Sequence, residues 1–435
     1  MNLGIFKIKI SPYTNLFCTI GILSSLNMLK NLIIIKYGGI REMIDFKKET
    51  NLIKDELIKI RRDLHEHPEL GFEEVRTSKV IKDFLESNNI PYIQVAKTGV
   101  CGIIKGTKEG NNKTIALRGD IDALPIKDMK TCEFKSKIDG RMHACGHDAH
   151  TTILMGAAKL LNNNKDKFSG TVKLLFEPAE ETTGGATPMI NEGVLDNPRV
   201  DCVIGLHVDE ETKCGTIKIK KGVVNAASNP FSIKITGQGG HGASPHTTVD
   251  PIVIASHIVV ALQTIVSREI SPVNPIVITV GTLHAGTAQN IIPGEATLSG
   301  MIRTMTKEDR AFAIKRLNEI VNGIAVMSRA KAEVKIEESY PCLYNDDEFV
   351  DLISDSANEI LGKENVLEQK APKMGVESFA YFANERPSAF YFLGSGNKEK
   401  NTTEPAHSNL FNIDEDCLPI GVSIQALAAF NYLTK

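Results

Sequence analysis

The chain has 435 residues, 42% of them hydrophobic and 24% charged. That is ordinary for a soluble globular protein of two or three domains, and it excludes a disordered chain, a collagen-like fibre and a multi-span membrane protein. With 50 basic against 53 acidic residues the net charge is −3, so no basic field recommends nucleic acid or an anionic membrane as partner, and eight scattered Cys point to a reducing cytosol rather than a disulfide framework.

Residues 1–42 read differently from the rest. Leu16 to Leu29 is apolar but too short for a bilayer, which needs about 20 residues, and no small-x-small cleavage site follows it. Gly38-Gly39 lies just before an in-frame Met43, the pattern of a translated ribosome-binding site, so Met43 is the expected start and 1–42 a non-native or disordered leader. An amphipathic helix is expected from Phe46 to Leu64. Thr114 to Arg118 is a short apolar strand that breaks into Gly119-Asp120. Helix is expected over Thr151–Leu161, and buried strands over Thr171–Phe176 and Val200–Val208. This alternation predicts an α/β domain, a mostly parallel sheet with helices on both faces, with polar clusters at the strand ends where such sheets build their sites.

The rhythm changes near Asn225. Strands are expected over Pro230–Thr236, Ile276–Thr282, Ala296–Thr304 and Ala332–Glu338, and helices over Asp250–Glu269 and Lys307–Met327. The order β-α-β-β-α-β is ferredoxin-like. An α+β unit spanning 225–338, inserted in an α/β domain made of 43–224 and 339–435, accounts for it. One further strand, Ser388–Leu393, returns to the first domain.

Chemistry concentrates in four stretches. In Met142-His143-Ala144-Cys145-Gly146-His147-Asp148-Ala149-His150 a thiol and an imidazole two residues apart can reach one metal, though a buried polar cluster has the same composition. Glu177-Pro178-Ala179-Glu180-Glu181 places adjacent acids at a strand end, either solvated loop charges or a metal ligand beside a base. His207 ends an apolar strand and could be a core residue; His407 lies in a polar loop. Together, one Cys, three His and two Glu at strand ends or loops of one domain form the inventory of a site for one or two transition metals and a water. His257 lies among apolar helix neighbours and is expected in the core, and His65 and His67 carry no assignable catalytic role.

From Leu57 to the C terminus the chain resembles the M20 metallopeptidase and amidohydrolase family, in the branch of aminoacylases, hippurate hydrolases and plant auxin-conjugate hydrolases. The resemblance rests on Arg61-Arg-Asp-Leu-His-Glu-His-Pro-Glu-Leu-Gly71, Arg118-Gly-Asp-Ile-Asp-Ala-Leu-Pro125, Met142 to Thr151, Phe176-Glu-Pro-Ala-Glu-Glu181, Gly239-Gly-His-Gly-Ala-Ser-Pro-His246 and Ala288-Gln-Asn-Ile-Ile-Pro293. It implies two divalent metals held by Cys145, His147, Glu181, His207 and His407, with Glu180 as general base and Asp122 orienting a ligand histidine. Many family members read His-x-Asp where this chain has Asp120-Ile121-Asp122, and Asp where it has Cys145. Thiolate and imidazole suit Zn²⁺, and the carboxylate admits Mn²⁺, Co²⁺ or Ni²⁺. The inserted unit matches the family's lid and dimerisation domain. There His241 would polarise the scissile carbonyl, often from the partner subunit, and Asn290 and Arg303 would hold a substrate carboxylate. The implied activity is hydrolysis of N-acyl amino acids by a cytoplasmic homodimer with no nucleic-acid or membrane partner. Deacetylation of N-acetyl-diaminopimelate is the alternative within that chemistry. A non-catalytic metal or small-molecule binding protein is the alternative of another class.

Overall fold

The computed structural model describes residues 44–182 and 184–435; the leader reading falls outside them. Among the described residues sixteen strands run in chain order: β1 (Tyr92–Val95), β2 (Gly99–Lys105), β3 (Thr114–Asp120), β4 (Thr171–Glu177), β5 (Cys202–Lys213), β6 (Ile217–Ile219), β7 (Gly222–Asn225), β8 (Ala227–Thr236), β9 (Gly240–His241), β10 (Ile276–Ala285), β11 (Ile291–Ile292), β12 (Glu295–Thr304), β13 (Lys331–Ile336), β14 (Leu343–Asn345), β15 (Val366–Glu368) and β16 (Ser388–Gly396).

The large sheet has the order β1-β2-β4-β3-β5-β16-β6-β15, and its centre, β4-β3-β5-β16, is parallel. All seven residues of β3 and of β4 are buried, the charged Arg118, Asp120, Lys173 and Glu177 included, as befits strands covered on both faces. One face carries the helices His147–Asn163 and Cys417–Thr434. Cys417–Thr434 is apolar all round because it is sunk in that layer. The other face is closed by a cluster that joins Ala116, Leu175, Val203, Phe390 and Phe392 to Met189, Phe379 and Phe382.

From Ala227 to Ile336 the chain forms a second, antiparallel sheet, β10-β12-β8-β13, the strand order of a ferredoxin-like unit. Its helices, Pro251–Thr264 and Lys307–Met327, bury Ile254, Ile258, Leu262, Leu317 and Val321 against Phe231, Ile233 and Ile235. The strands β7 and β14, just outside this unit, pair with each other and close its base.

Three expectations change. The helix expected over Phe46–Leu64 is two helices, Phe46–Leu52 and Lys54–Glu66, broken by a turn at Ile53. β5 runs to Lys213, so His207 lies within a strand rather than at its end; the pairing of β5 with β3 stops at Gly205, which bares β5 on that side just before the histidine. His257 is exposed, because it falls on the face of Pro251–Thr264 that turns away from its sheet.

Candidate active site

The C-terminal ends of β3 and β4, paired Asp120 to Glu177, deliver two loops to one edge of the sheet. Gly146 starts the helix His147–Asn163 with φ +91°, and a Cβ there would meet Val208 Cγ2 at 2.4 Å, so only glycine fits between the two ligand candidates of this loop. The turn brings Cys145 Sγ to 3.3 Å from His207 Nε2. His407 Nε2 lies 3.3 Å, and His147 Nε2 3.8 Å, from Glu181 Oε1.

Hydrogen bonds select the tautomer of two of the histidines. His207 Nδ1 donates to the Val208 carbonyl at 2.6 Å, and His147 Nδ1 donates to Asp122 Oδ1 at 3.0 Å. Each therefore presents the Nε2 lone pair to the cluster. Asp122 also accepts from the Glu181 amide at 3.0 Å, so one buried carboxylate fixes two neighbouring groups.

The donor set fits divalent metals. His147 Nε2 and Glu181 Oε1 are buried without a hydrogen-bond partner, which costs free energy unless something fills the gap. Ligand atoms of Cys145, His147 and His207, of Cys145, Glu181 and His407, and of His147, Glu180 and Glu181 form three groups, each within 4.8 Å of one another. Burial and the Glu181 charge push the Cys145 thiol well up, a penalty that a cation held there offsets.

Glu180 is buried, and its Oε1 accepts from the Ser378 amide at 3.0 Å. Burial, Glu377 and Glu181 push its carboxyl well above the usual range, and His147 and Arg118 restrain the rise. Beneath it the fully buried Arg118 pairs with Asp120 (2.7 Å), Glu177 (2.6 Å) and Glu377 (3.0 Å). Removing that guanidinium would strand three buried carboxylates, a loss of the kind that costs about 3–5 kcal/mol.

A cleft of about 690 Å³ opens over Cys145, Glu180, Glu181, His207 and His407, and Arg303 lines it. The Arg303 Nη1 is buried with no hydrogen-bond partner, and burial lowers its pKa. The other two residues expected from the inserted unit are elsewhere: His241 on β9 and Asn290 beside β11 are exposed on one small ribbon, and neither lines the cleft.

Several residues inside the quoted motifs have a supporting role that the motifs alone leave unassigned. His150 donates from Nδ1 to Asp120 (2.6 Å) and accepts the Val208 amide at Nε2 (2.9 Å), which anchors the strand beside His207. His65 bridges Asp148 (2.6 Å) and Asp128 (3.4 Å), and Arg61 Nε lies 2.9 Å from Asp148, so the start of the ligand-bearing helix is tied to Lys54–Glu66. Their spacing to each other, 83 residues from His65 to Asp148, leaves no local signal.

Thiol, imidazoles and carboxylates around a buried acid, at the C-terminal edge of a parallel sheet, define a metal-dependent hydrolase. The model of Peptidase family M20/M25/M40 matches residues 116–431, and the chain belongs to that family. Over 394 residues it is 40% identical to Thermostable carboxypeptidase 2 of Saccharolobus solfataricus, covering 89% of this chain and 98% of that protein. It is 41% identical over 386 residues to IAA-amino acid hydrolase ILR1-like 4 of Arabidopsis thaliana, covering 88% and 86%. The solved structure of the Bacillus subtilis YXEP protein, described as a dinuclear metal binding peptidase from the M20 family, is 36% identical and superimposes with a TM-score of 0.76, covering 88% of this chain and 99% of that one. The protein is a metal-dependent enzyme acting on amides.

Proposed function

We propose that this protein hydrolyses the amide bond of N-acyl amino acids to a carboxylate and a free amino acid. The observation that carries the reading is the cleft itself, where the unpaired cation of Arg303 shares a cavity with Glu180 and the ligand cluster. The carboxypeptidase and the IAA-amino acid hydrolase similar to this chain are both named for reactions that free an amino acid from an amide, which supports a leaving group bearing a carboxylate.

In this reading Cys145, His147, Glu181, His207 and His407 hold two divalent metals, of which Zn²⁺ best suits the thiolate and imidazoles and Mn²⁺, Co²⁺ or Ni²⁺ suit the carboxylate. Bound there, the metals supply Lewis-acid polarisation and lower the pKa of the attacking water. Glu180 takes the proton of that water and returns it to the leaving nitrogen. Asp122 holds His147 in the ligating tautomer, and Arg303 binds the carboxylate of the leaving amino acid. His241 and Asn290 reach the substrate only by closure or from a second copy. A homodimer is supported by the exposed Ile252, Val253 and Val260 on the helix Pro251–Thr264 and by Leu283 on β10, whose outer edge is unpaired among the described residues. Cys101, Cys132, Cys145, Cys202, Cys214, Cys342 and Cys417 are all unpaired, which supports a reducing, cytoplasmic setting.

Metal-loaded protein should be tested against N-acetyl, N-benzoyl and longer N-acyl amino acids, N-acetyl-diaminopimelate, and the same amides with the amino-acid carboxylate replaced by a methyl ester. Turnover of the acids at far higher kcat/KM than the esters is expected. Equal turnover of acids and esters, or none of any amide, overturns the reading.

A further inference from the structure

Glu180 and the residue before it are held at three points. The Ala179 amide donates to Glu74 Oε1 at 2.8 Å, the Ser378 amide donates to the Glu180 carboxylate at 3.0 Å, and the Tyr340 hydroxyl donates to the Glu180 carbonyl at 2.5 Å. Ala179 sits at φ +55°, a left-handed conformation that residues other than glycine seldom adopt, so the bend that aims Glu180 into the cleft depends on such supports.

Glu74 and Ser378 belong to elements around the large sheet. Tyr340 does not. It lies on the return connection between β13 and β14, and that connection is strapped to the four-stranded unit. The Glu337 amide donates to Pro230 O (2.9 Å), Asn229 Nδ2 donates to Glu337 O (2.8 Å), the Ser228 amide donates to Tyr340 O (2.8 Å), and Arg310 donates to Ser339 O (2.9 Å). The outgoing connection reaches another support of Glu180. The Ala226 amide lies within hydrogen-bond distance of Lys373 O (3.1 Å) and Gly375 O (3.2 Å), three residues before Ser378. Arg303 is part of the same body, opposite Ser228 in the β12–β8 register.

We propose that Tyr340 is a positioning residue that couples the four-stranded unit to the base: movement of the unit that carries Arg303 is transmitted through the Tyr340 hydroxyl to the backbone of Glu180. A substrate carboxylate drawn to Arg303 thereby also sets the carboxylate that activates water. The inference rests on the reading of Glu180 as the base. Its physical ground is that hydrogen bonds weaken steeply with lost alignment, so a small shift of the connection is felt at the turn.

The test is Tyr340→Phe in the full, metal-loaded chain, which keeps the ring and removes the donor. Loss of one such bond at a turn should lower kcat about tenfold. KM should stay within about twofold, metal content should be unchanged, and the acid limb of the pH profile of kcat/KM should move. Amide exchange over residues 179–182, read by mass spectrometry, should accelerate about tenfold while β3 and β4 stay protected. Wild-type kcat, pH profile and exchange would overturn the coupling, as would a loss confined to metal content or melting temperature. Glu180→Gln separates the two claims. If it is inactive while Tyr340→Phe is unaffected, the coupling alone falls; if it retains full kcat, the base assignment falls.

Discussion

The edge of the large sheet and the four-stranded unit carry motifs of similar clarity, yet they behave differently. At the sheet edge, residues from positions 122 to 407 converge on one cluster within a single chain. Of the three residues expected from the inserted unit, Arg303 lines the cleft, while His241 and Asn290 stay exposed on the β9–β11 ribbon. The difference teaches that parallel strands fix where their loops meet, whereas the placement of a unit joined by two connections depends on those connections.

The largest effect should come from the sheet edge. His207→Ala or Glu181→Gln should lower bound metal, measured by atomic absorption after gel filtration, and activity should fall with it. Unchanged metal in either variant would remove that residue from the ligand set.

Next comes His241→Ala, which should cut kcat and kcat/KM together by about 10²-fold at constant metal content, as loss of an oxyanion donor does. If His241 acts across a dimer, mixed His241→Ala and Glu180→Gln subunits should regain activity, up to half that of a wild-type dimer. No recovery despite demonstrated subunit exchange would confine His241 to its own chain. Arg303→Ala should be milder, raising KM for N-acyl amino acids about tenfold, since a hydrogen bond to a charged group is worth about 1.5–3 kcal/mol. Its methyl-ester substrates should be unaffected, and an equal loss on acid and ester would contradict the assignment.

Why the two regions were unequally legible follows from the physics of each. The strand-helix alternation, the ferredoxin-like order and the Cys-Gly-His and Glu-Glu loops are local patterns, and local patterns are what side-chain period and spacing encode. Lys307–Met327 appears at the expected bounds because its Thr306 cap and amphipathic repeat are both local. The roles of His65, His150, Tyr340 and Glu74 are not legible, because each works through a partner tens to hundreds of residues away. His257 misled because a helix with apolar residues all round gives no sign of which side faces its sheet.

The smallest effect tests one of those hidden networks. Burial would raise the Asp128 carboxyl, but the His65 ring at 3.4 Å, hydrogen bonds from the Ser136 and Lys130 amides and the Lys130 ammonium hold it below its ordinary value of 3.8. A depressed folded-state pKa stabilises the protein above the unfolded pKa, and this contribution fades as pH falls below about 4. Metal-free protein should therefore lose melting temperature below pH 4, and Asp128→Asn should flatten that slope by a few degrees, at about 2 °C per kcal/mol. An unchanged slope would mean that the pair contributes nothing measurable.

The central claim is that Glu180 moves the proton while its neighbours hold the metals. The direct measurement is kcat together with bound metal per chain for Glu180→Gln, which keeps the shape of the side chain but cannot accept a proton. The account predicts a loss in kcat of at least about 10²-fold with metal content equal to wild type. A variant that stays active, or one that loses metal in step with activity, would contradict it.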